Sequence, residues 1–284
     1  MSMLHRLTGR ATHPAPELQA VLGDYELPSF PALLLKALEK VRDDEASDAD
    51  IAELVSADPG FSVRLLSTVN SAAFSLRHKV SNVDHAVSLL GRGELESLLI
   101  SIAVRQVLPC HESAEFDVRR FWRTAARRAA TAKGLSDRID PSTRSESFTA
   151  GLLQDMAIPV LMRCRARDYG PVLTCWRRDG GDLTTLEREA FGCDHALVAK
   201  WMCDKWQFPE RIAQAIGGHH GTGGDKMATL PAVNLVALLG EDGDAGVEAL
   251  VESAYADHGL PREQTAELVA SRFASADEVA RLFT

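Results

Sequence analysis

From Leu18 onwards the sequence is a series of helix start and stop signals, with hardly any alternating strand pattern between them. Asp58-Pro59 is one start signal, because it places a capping carboxylate before a proline, which is favoured at the first helical position. Asn82 precedes a further helix, which Gly91 can close in a left-handed conformation. Apolar residues recur every three or four positions between these signals, as amphipathic helices require. The sequence therefore predicts an all-α protein.

The expected helices form two sets along the chain. Those of the first set begin near Pro31, Ser47 or Asp48, Asp58, Asn82 and Glu94, and the last of them ends by Leu108. Those of the second set lie, with breaks, at about 116–134, 144–164, 184–206, 209–217, 231–239, 244–257 and 262–283. Within this set, Thr184-Thr-Leu-Glu187 has the form of a capping box, in which the threonine and glutamate side chains satisfy opposite backbone amides.

Two helical subdomains are the simplest account of this organisation. Residues 1–17 contain two prolines and little periodicity, so we expect a flexible N-terminal arm. Residues 18–110 then form an N-terminal helical subdomain, and residues 111–284 form a second one that ends in acidic helices. A chain of 284 residues with 45% hydrophobic content can bury a sizeable core.

Composition excludes several classes of protein. The five cysteines form no Cys-x-x-Cys pair, which argues against a zinc ribbon and against a disulfide framework. No apolar run approaches the roughly 20 residues that span a bilayer, and the first residues lack the apolar core of a secretory signal. We therefore expect a cytoplasmic protein without a membrane partner.

Charge is distributed unevenly along the chain. The formal net charge is −9, and from Glu241 to the end ten acidic residues face three arginines. Such an acidic segment makes nucleic acid an unfavourable partner, because phosphate groups would be repelled. One expected helix is basic instead, and its charged residues are Arg119, Arg120, Arg123, Arg127, Arg128, Lys133 and Arg138. This helix is either a solvated face or a docking face for an acidic partner that uses Arg119, Arg123, Arg127 and Arg128.

The residues with the clearest chemical meaning are Asp155, His195, His219 and His220. An aspartate in an apolar helical context, followed by three histidines at long spacing, is typical of a metal-dependent phosphohydrolase. The residue before the aspartate is Gln154, where that chemistry would require a histidine.

The words around these residues resemble the HDOD family, bacterial signalling domains related to the HD and HD-GYP phosphohydrolases. The words in question are Phe148-Thr-Ala-Gly-Leu-Leu-Gln-Asp-Met-Ala157, Trp206-Gln-Phe-Pro through Gly-Gly-His-His220, and, in the N-terminal half, Leu27-Pro28, Ser56-Ala-Asp-Pro59, Asn70-Ser-Ala and Leu-Leu-Gly91. The resemblance covers nearly everything after the arm. It implies an N-terminal helical bundle packed on a C-terminal HD-like helical bundle.

In the HD-GYP relatives two metals are bound, and the resemblance implies that the site of the first metal is lost here. Its upstream histidine falls at or near Thr124, its HD histidine becomes Gln154, and its downstream aspartate falls at Ala237 or Leu238. A glutamine amide oxygen is neutral and hard, whereas imidazole is a good ligand for zinc and iron. Thr124, Gln154 and Asp155 are therefore interpreted as vestigial HD positions, and no residue is assigned a catalytic role.

The set implied for the second metal is complete, since Asp155, His195, His219 and His220 are all present. These side chains suit one iron, manganese or zinc ion, with nearby glycines allowing the adjacent histidines to converge. Three interpretations stay open. The favoured one is a hydrogen-bonded patch without a cofactor, and the others are a retained one-ion site and actual turnover. The segment His219–Asp225 lacks the Gly-Tyr-Pro word of the HD-GYP enzymes, which weighs against cyclic di-GMP hydrolysis.

The resemblance implies a non-catalytic bacterial signal-transduction regulator that acts through protein–protein contacts, in motility, stress or cyclic di-GMP networks. Its partners would be signalling proteins, namely a response regulator, a kinase or a cyclic di-GMP enzyme. The alternative is a single-metal or weakly active phosphohydrolase or phosphodiesterase that uses Asp155 and the three histidines. Nucleic-acid binding by the basic helix is the third possibility. The sequence does not indicate the oligomeric state.

Overall fold

The computed structural model describes residues 16–71, 78–109, 112–221, 230–241 and 245–283. Over these ranges the protein is all-helical, as predicted, with fifteen α-helices, one 3₁₀ helix at Pro141–Thr143 and no strand. The first five helices are α1 (Pro16–Leu22), α2 (Ala32–Arg42), α3 (Asp48–Ser56), α4 (Pro59–Val69) and α5 (Val83–Val107). The next five are α6 (Val118–Ile139), α7 (Arg144–Leu153), α8 (Ala157–Cys164), α9 (Ala166–Asp179) and α10 (Leu183–Phe191). The last five are α11 (His195–Lys205), α12 (Glu210–Gly217), α13 (Pro231–Val236), α14 (Val247–His258) and α15 (Arg262–Phe283).

The helix starts expected in the N-terminal half are confirmed by their caps. The Ser47 side chain accepts from the Asp50 amide at 3.2 Å. The Asp58 carboxylate accepts from the Phe61 amide at 3.0 Å. The Asn82 side-chain oxygen accepts from the amide three residues later at 2.8 Å. Each cap satisfies a backbone donor that the first helical turn leaves without a partner.

Pro16 and Glu17, the last two residues of the expected N-terminal arm, belong to α1. Residues 1–15 lie outside the described residues, as does the expected subdomain boundary at 110–111. One main apolar cluster runs from Leu18 to Ala280 and so includes residues of both halves. The division into two subdomains stays a prediction.

Direct contacts join the two halves of the chain. The rings of Phe30 and Trp206 stack with centroids 4.9 Å apart. The indole N–H of Trp206 donates to the Pro28 carbonyl at 3.0 Å. The Arg165 Nε–H donates to the Val21 carbonyl at 2.7 Å. The N-terminal helices thereby pack against the helices that carry the candidate site.

The helix expected over 144–164 is broken at residues 154–156, between α7 and α8. The break follows from Pro159, which lacks an N–H and whose ring would clash with the carbonyl of residue 155 in a continuous helix. The Asp155 carbonyl instead accepts from the Ile158 amide at 2.9 Å. Asp155 consequently lies in a turn between two helices, and the prediction that it lies within a helix was wrong.

Helix α9 was not among the expected helices. Gly170 and Pro171 lie inside it, and both residues weaken helix propensity. Tyr169 and Leu173 of this helix are completely buried. Tertiary packing therefore determines this helix, against its local propensity.

Helices α6 and α7 approach each other closely where Gly151 faces α6. A Cβ atom on Gly151 would lie 3.1 Å from the Ala132 Cβ and 3.2 Å from the Arg128 carbonyl oxygen. Only glycine leaves room for this approach. The approach places the middle of α6 beside the turn that carries Asp155.

None of the described helices combines the length and the apolarity needed to cross a membrane.

Candidate metal centre

The structure brings together the four residues that the sequence singled out. Asp155 lies in the turn after α7, His195 is the first residue of α11, and His219 and His220 follow the end of α12. Gly221, at φ 71°, turns the chain immediately after the two histidines. The potential ligand atoms of all four side chains lie within 4.8 Å of one another.

Two of the imidazoles point their Nε2 atoms toward one carboxylate oxygen, and the third contacts one of these two rings. Asp155 Oδ1 lies 3.4 Å from the His195 Nε2 and 3.3 Å from the His219 Nε2. The His220 Nε2 lies 3.0 Å from the His195 Nε2. A tetrahedral coordination shell requires four ligand atoms that converge on one point.

The opposite ring nitrogens of two histidines face acceptors. The His195 Nδ1 lies 2.7 Å from a Glu187 carboxylate oxygen, and the His219 Nδ1 lies 2.6 Å from the Ile216 carbonyl oxygen. Each Nδ1 must therefore carry a proton, and in the neutral ring Nε2 then has the lone pair that binds an ion. The His219 Nε2 is buried and has no hydrogen-bond partner among the described residues. The set therefore fits one divalent ion.

In the absence of an ion, burial and neighbouring charges give the three histidines different pKa values. Burial alone would lower the pKa of His195, but the charge of Glu187 and the hydrogen bonds that His195 donates to Asp155 and Glu187 outweigh it and raise that pKa to about 10. Burial and the neighbouring His219 and His195 lower the pKa of His220 to about 2. A protonated His195 can donate through Nε2 to the neutral His220, which explains their 3.0 Å contact. An ion must displace this proton.

The carboxylate of Asp155 stays ionised in this buried setting. Burial would raise the pKa of Asp155, but the Arg128 charge and the hydrogen bond from His195 hold it well below its usual range. Burial also lowers the pKa of His219, against the opposing effect of Asp155. The cluster thus has one anionic oxygen facing the imidazoles of His195 and His219.

Glu187 is a site residue that the sequence analysis missed. Its side chain is only 1% exposed, and its Oε2 accepts from the His195 backbone N–H at 2.9 Å as well as facing Nδ1. The Tyr169 hydroxyl donates to its other oxygen. The assignment of Glu187 to a capping box was wrong, because Asp182 caps α10 by accepting from the Thr184 amide at 3.1 Å.

The sequence held one signal for this role of Glu187. Glu187 lies four positions after Leu183 and four positions before Phe191, so the carboxylate lies on the apolar face of α10. A charged residue on an inward face requires a buried partner. That partner could not be identified before His195 was placed beside it.

The three positions implied for the first metal provide no ligand set. The Thr124 hydroxyl donates to the Glu241 carbonyl at 3.3 Å. Gln154 is 1% exposed, and neither of its amide atoms has a hydrogen-bond partner among the described residues. At the downstream position, Ala237 and Leu238 are apolar, and Leu238 is largely exposed.

Arg128 belongs neither to a solvated face nor to a docking face, the two alternatives that the sequence left open. It is 8% exposed, its Nη1 forms an ion pair with Asp155 Oδ2, and its Nη2 donates to the Leu239 carbonyl at 2.6 Å. Residue 128 lies one helical turn after the buried Thr124, so it shares the inner face of α6.

Arg127 is half-buried over the Phe273 ring, whereas Arg119 and Arg123 are exposed.

Other basic residues of α6 also have acidic partners. Arg120 pairs with Glu241 at 2.9 Å. Lys133 is buried and pairs with Glu94 at 2.6 Å. The basic run is therefore divided between an inner face that binds neighbouring elements and an outer face that includes Arg119 and Arg123.

A cleft gives access to the cluster. It has a volume of about 330 Å³, and its lining includes Asp155, His195, His220, Trp176 and Asp182. Clefts of this size accommodate small ligands. The glycine-rich segment at 222–225, where the sequence analysis noted the missing Gly-Tyr-Pro word, lies outside the described residues.

Comparisons with solved structures show the same fold. A protein from Shewanella amazonensis SB2B, suggested to be a phosphohydrolase, superimposes with a TM-score of 0.74 at 24% identity, covering 96% of this chain and 99% of that one. An HDOD domain protein of unknown function from Geobacter sulfurreducens superimposes with a TM-score of 0.73 at 19% identity, covering 94% of this chain and 98% of that one.

Sequence comparison gives a curated relative and a family. A protein of uncharacterised function from Treponema pallidum (strain Nichols) is 23% identical over 258 residues, which is 87% of this chain. The chain spans about half, 50%, of the length of that relative. Residues 27–222 match the HDOD domain, and this match covers most of the chain. The protein is therefore a member of the HDOD domain family.

Proposed function

We propose that this protein is a non-catalytic signalling domain of the HDOD type, which acts through protein contacts and whose cleft binds one divalent ion. The observation that carries the proposal is the division of Asp155 between two kinds of partner. Its Oδ1 faces the imidazoles of His195 and His219, whereas its Oδ2 is bound by the Arg128 guanidinium. A carboxylate engaged in this way has no oxygen left to bridge a second ion.

The surviving residues favour one ion over a cofactor-free patch. Asp155, His195, His219 and His220 would hold it, and the Nδ1 contacts of His195 and His219 already orient their Nε2 atoms toward Asp155. Such an ion would act as a Lewis acid when bound. Two-metal phosphodiester hydrolysis also needs ligands at Thr124, Gln154 and Leu238. A hydroxyl, an amide and an alkyl group do not replace two imidazoles and a carboxylate at these positions.

A partner would bind the outer surface of the protein. Arg119 and Arg123 are exposed on α6, where they can contact an acidic patch of a response regulator, a kinase or a cyclic di-GMP enzyme. Membership of the HDOD family supports a signalling role. Charge reversal by Arg119→Glu/Arg123→Glu should abolish cross-linking to that partner in native extracts, whereas His258→Gln on α14 should leave the same cross-link intact.

An assay for turnover tests the non-catalytic part of the proposal. The purified protein, loaded separately with Mn²⁺, Fe²⁺ or Zn²⁺, is incubated with bis(p-nitrophenyl) phosphate and with cyclic di-GMP, beside an Asp155→Asn variant. We expect the two proteins to give the same background rate. Metal-dependent hydrolysis by the wild-type protein that disappears in Asp155→Asn would contradict the proposal.

The second candidate function is a single-metal phosphohydrolase. It is favoured by the cleft of about 330 Å³ that reaches His195 and His220. One ion could bind a phosphate and lower the pKa of a bound water. The assay above separates the two functions directly, because only the enzyme shows a rate that depends on Asp155.

A further inference from the structure

The guanidinium of Arg128 lies between the positions that have lost their metal ligands. A small cavity beside it is lined by Thr124, Gln154, Asp155 and Glu241. On its other side, Nη2 donates to the carbonyl of Leu239, next to the downstream ligand position at 237–238. All three lost ligand positions therefore surround one cationic side chain.

Helix geometry explains how the side chain reaches this place. Long side chains on a helix point back toward its N-terminus, so Arg128 covers the turn that contains Thr124. Gly151 allows α6 to approach α7 closely at the level of Arg128. The approach brings the guanidinium within reach of the turn at Asp155, and Nη1 pairs with Asp155 Oδ2.

Charge explains why a cation is needed here. A carboxylate that is largely buried is costly when it lacks a compensating positive charge. In a two-metal site that charge comes from ions on both sides of the carboxylate. Here the imidazoles lie on the Oδ1 side alone, and the side of Oδ2 is covered by Arg128.

We propose that Arg128 replaces the first metal ion as the counter-charge of Asp155, so that the carboxylate bridges a guanidinium and, at most, one ion. The inference rests on the proposed one-ion cleft. It adds that the one-ion state is maintained by a residue of the chain, and that the arginine weakens ion binding by placing a fixed positive charge beside the site.

The first test is a double-mutant cycle in the metal-free protein, with chelator present. Arg128→Met retains the length of the side chain but removes its charge, and it should lower the midpoint of thermal unfolding by about 6–20 °C, because it leaves a buried carboxylate unpaired. Asp155→Asn combined with Arg128→Met removes both charges and should recover most of that loss. The control is Arg123→Met, an exposed residue of the same helix, which should leave the midpoint unchanged.

The second test titrates Zn²⁺ and Mn²⁺ into the wild-type protein and Arg128→Met by competition with a chromophoric chelator. Removal of one positive charge a few ångströms from a divalent ion should tighten binding about tenfold or more. Stoichiometry should stay at one ion per chain, because Thr124, Gln154 and Leu238 still provide no ligands.

Several results would overturn the inference. A double variant with the same thermal midpoint as Arg128→Met would mean that the two charges are not partners. Binding of ions by Arg128→Met that is no tighter than binding by wild type would mean that the guanidinium does not take the place of an ion. The absence of ion binding in both proteins would have the same meaning. If Arg128→Met does not fold, the stability of the double variant decides alone. The stability cycle needs neither an ion nor turnover, so its failure is distinct from failure of the one-ion, non-catalytic function.

Discussion

Glu187 accepts hydrogen bonds from both the backbone amide and the Nδ1–H of His195, eight residues later, and both bonds end on the same carboxylate oxygen. The Tyr169 hydroxyl holds the other oxygen. This arrangement fixes the rotation of the imidazole ring and directs Nε2 toward Asp155. A carboxylate behind a ligating histidine orients the ring and raises its basicity.

Glu187→Gln should therefore weaken ion binding without removing a ligand. We expect the dissociation constant for Zn²⁺ to rise by about 10–100-fold, the range found when such supporting groups are lost. The measurement is competition with a chromophoric chelator. Glu189→Gln, an exposed residue of the same helix, is the matched control and should bind as the wild type does. An unchanged constant in Glu187→Gln would refute the orienting role.

Gly151→Ala should destabilise the whole protein. The added Cβ would lie 3.2 Å from the Arg128 carbonyl oxygen and 3.4 Å from the Ala129 Cα, so α6 and α7 would have to separate. Overpacking of this kind typically costs about 1–3 kcal/mol, which a urea denaturation curve resolves.

The matched control for this substitution is Gly93→Ala. Gly93 is exposed within α5, and a Cβ there meets no atom within 4 Å. It should stabilise the helix by up to about 1 kcal/mol, because alanine has the higher helix propensity. Equal free energies of unfolding for Gly151→Ala and wild type would show that the helices do not depend on this close approach.

Stability of the metal-free protein should fall as the pH falls below about 6.5. The folded-state pKa of His220 is about 2, so between these values the unfolded chain binds a proton that the folded chain does not. The lowered pKa of His219 acts in the same direction. The contribution of His195 is fully present below its unfolded pKa and is lost as the pH rises toward about 10. Maximum stability is therefore expected near neutral pH.

His220→Gln tests this acid limb. It should reduce the slope of unfolding free energy against pH between pH 5 and 6 by up to about 1.4 kcal/mol per pH unit, which corresponds to one proton. Denaturation in chelator at several pH values gives the slope, with His258→Gln on the surface as the control. Identical slopes for His220→Gln and wild type would mean that His220 titrates in the folded protein as it does in the unfolded chain.

Restoring the HD histidine alone should not restore a two-metal site. In Gln154→His the new imidazole would lie among Thr124, Arg128 and Glu241, with no further ligand from the segment 237–239 and a guanidinium on Asp155. We expect the number of bound ions to stay the same as in wild type and no phosphodiester turnover. A second bound ion in Gln154→His, measured by elemental analysis, would show that one ligand is sufficient.

The sequence predicted most of the fold because much of it is local. The caps at Ser47, Asp58 and Asn82 depend on residues three positions apart. The sequence predicts Asp58 and Asn82, and it offers Ser47 as one of two candidates. Helix α9 was missed because its interior contains Gly170 and Pro171, and tertiary packing of Tyr169 and Leu173 outweighs their low propensity.

The site was predicted only in part, for a related reason. Asp155 and the three histidines are recognisable as residue types, and the structure places them together. Arg128 looked like one member of a basic helix face, and Glu187 looked like a helix cap. Their roles depend on partners 27 and 8 residues away, which become neighbours only when α6 packs on α7 and α10 on α11.

The most direct test of the account is the number of divalent ions that one chain binds. Purified protein is equilibrated with Mn²⁺, Fe²⁺ or Zn²⁺ in excess, dialysed, and analysed for metal content beside His219→Ala. The account predicts one ion per wild-type chain and its loss in His219→Ala, since His219 provides a buried Nε2 with no other partner among the described residues. Two ions per chain, or an ion content that His219→Ala leaves unchanged, would contradict it.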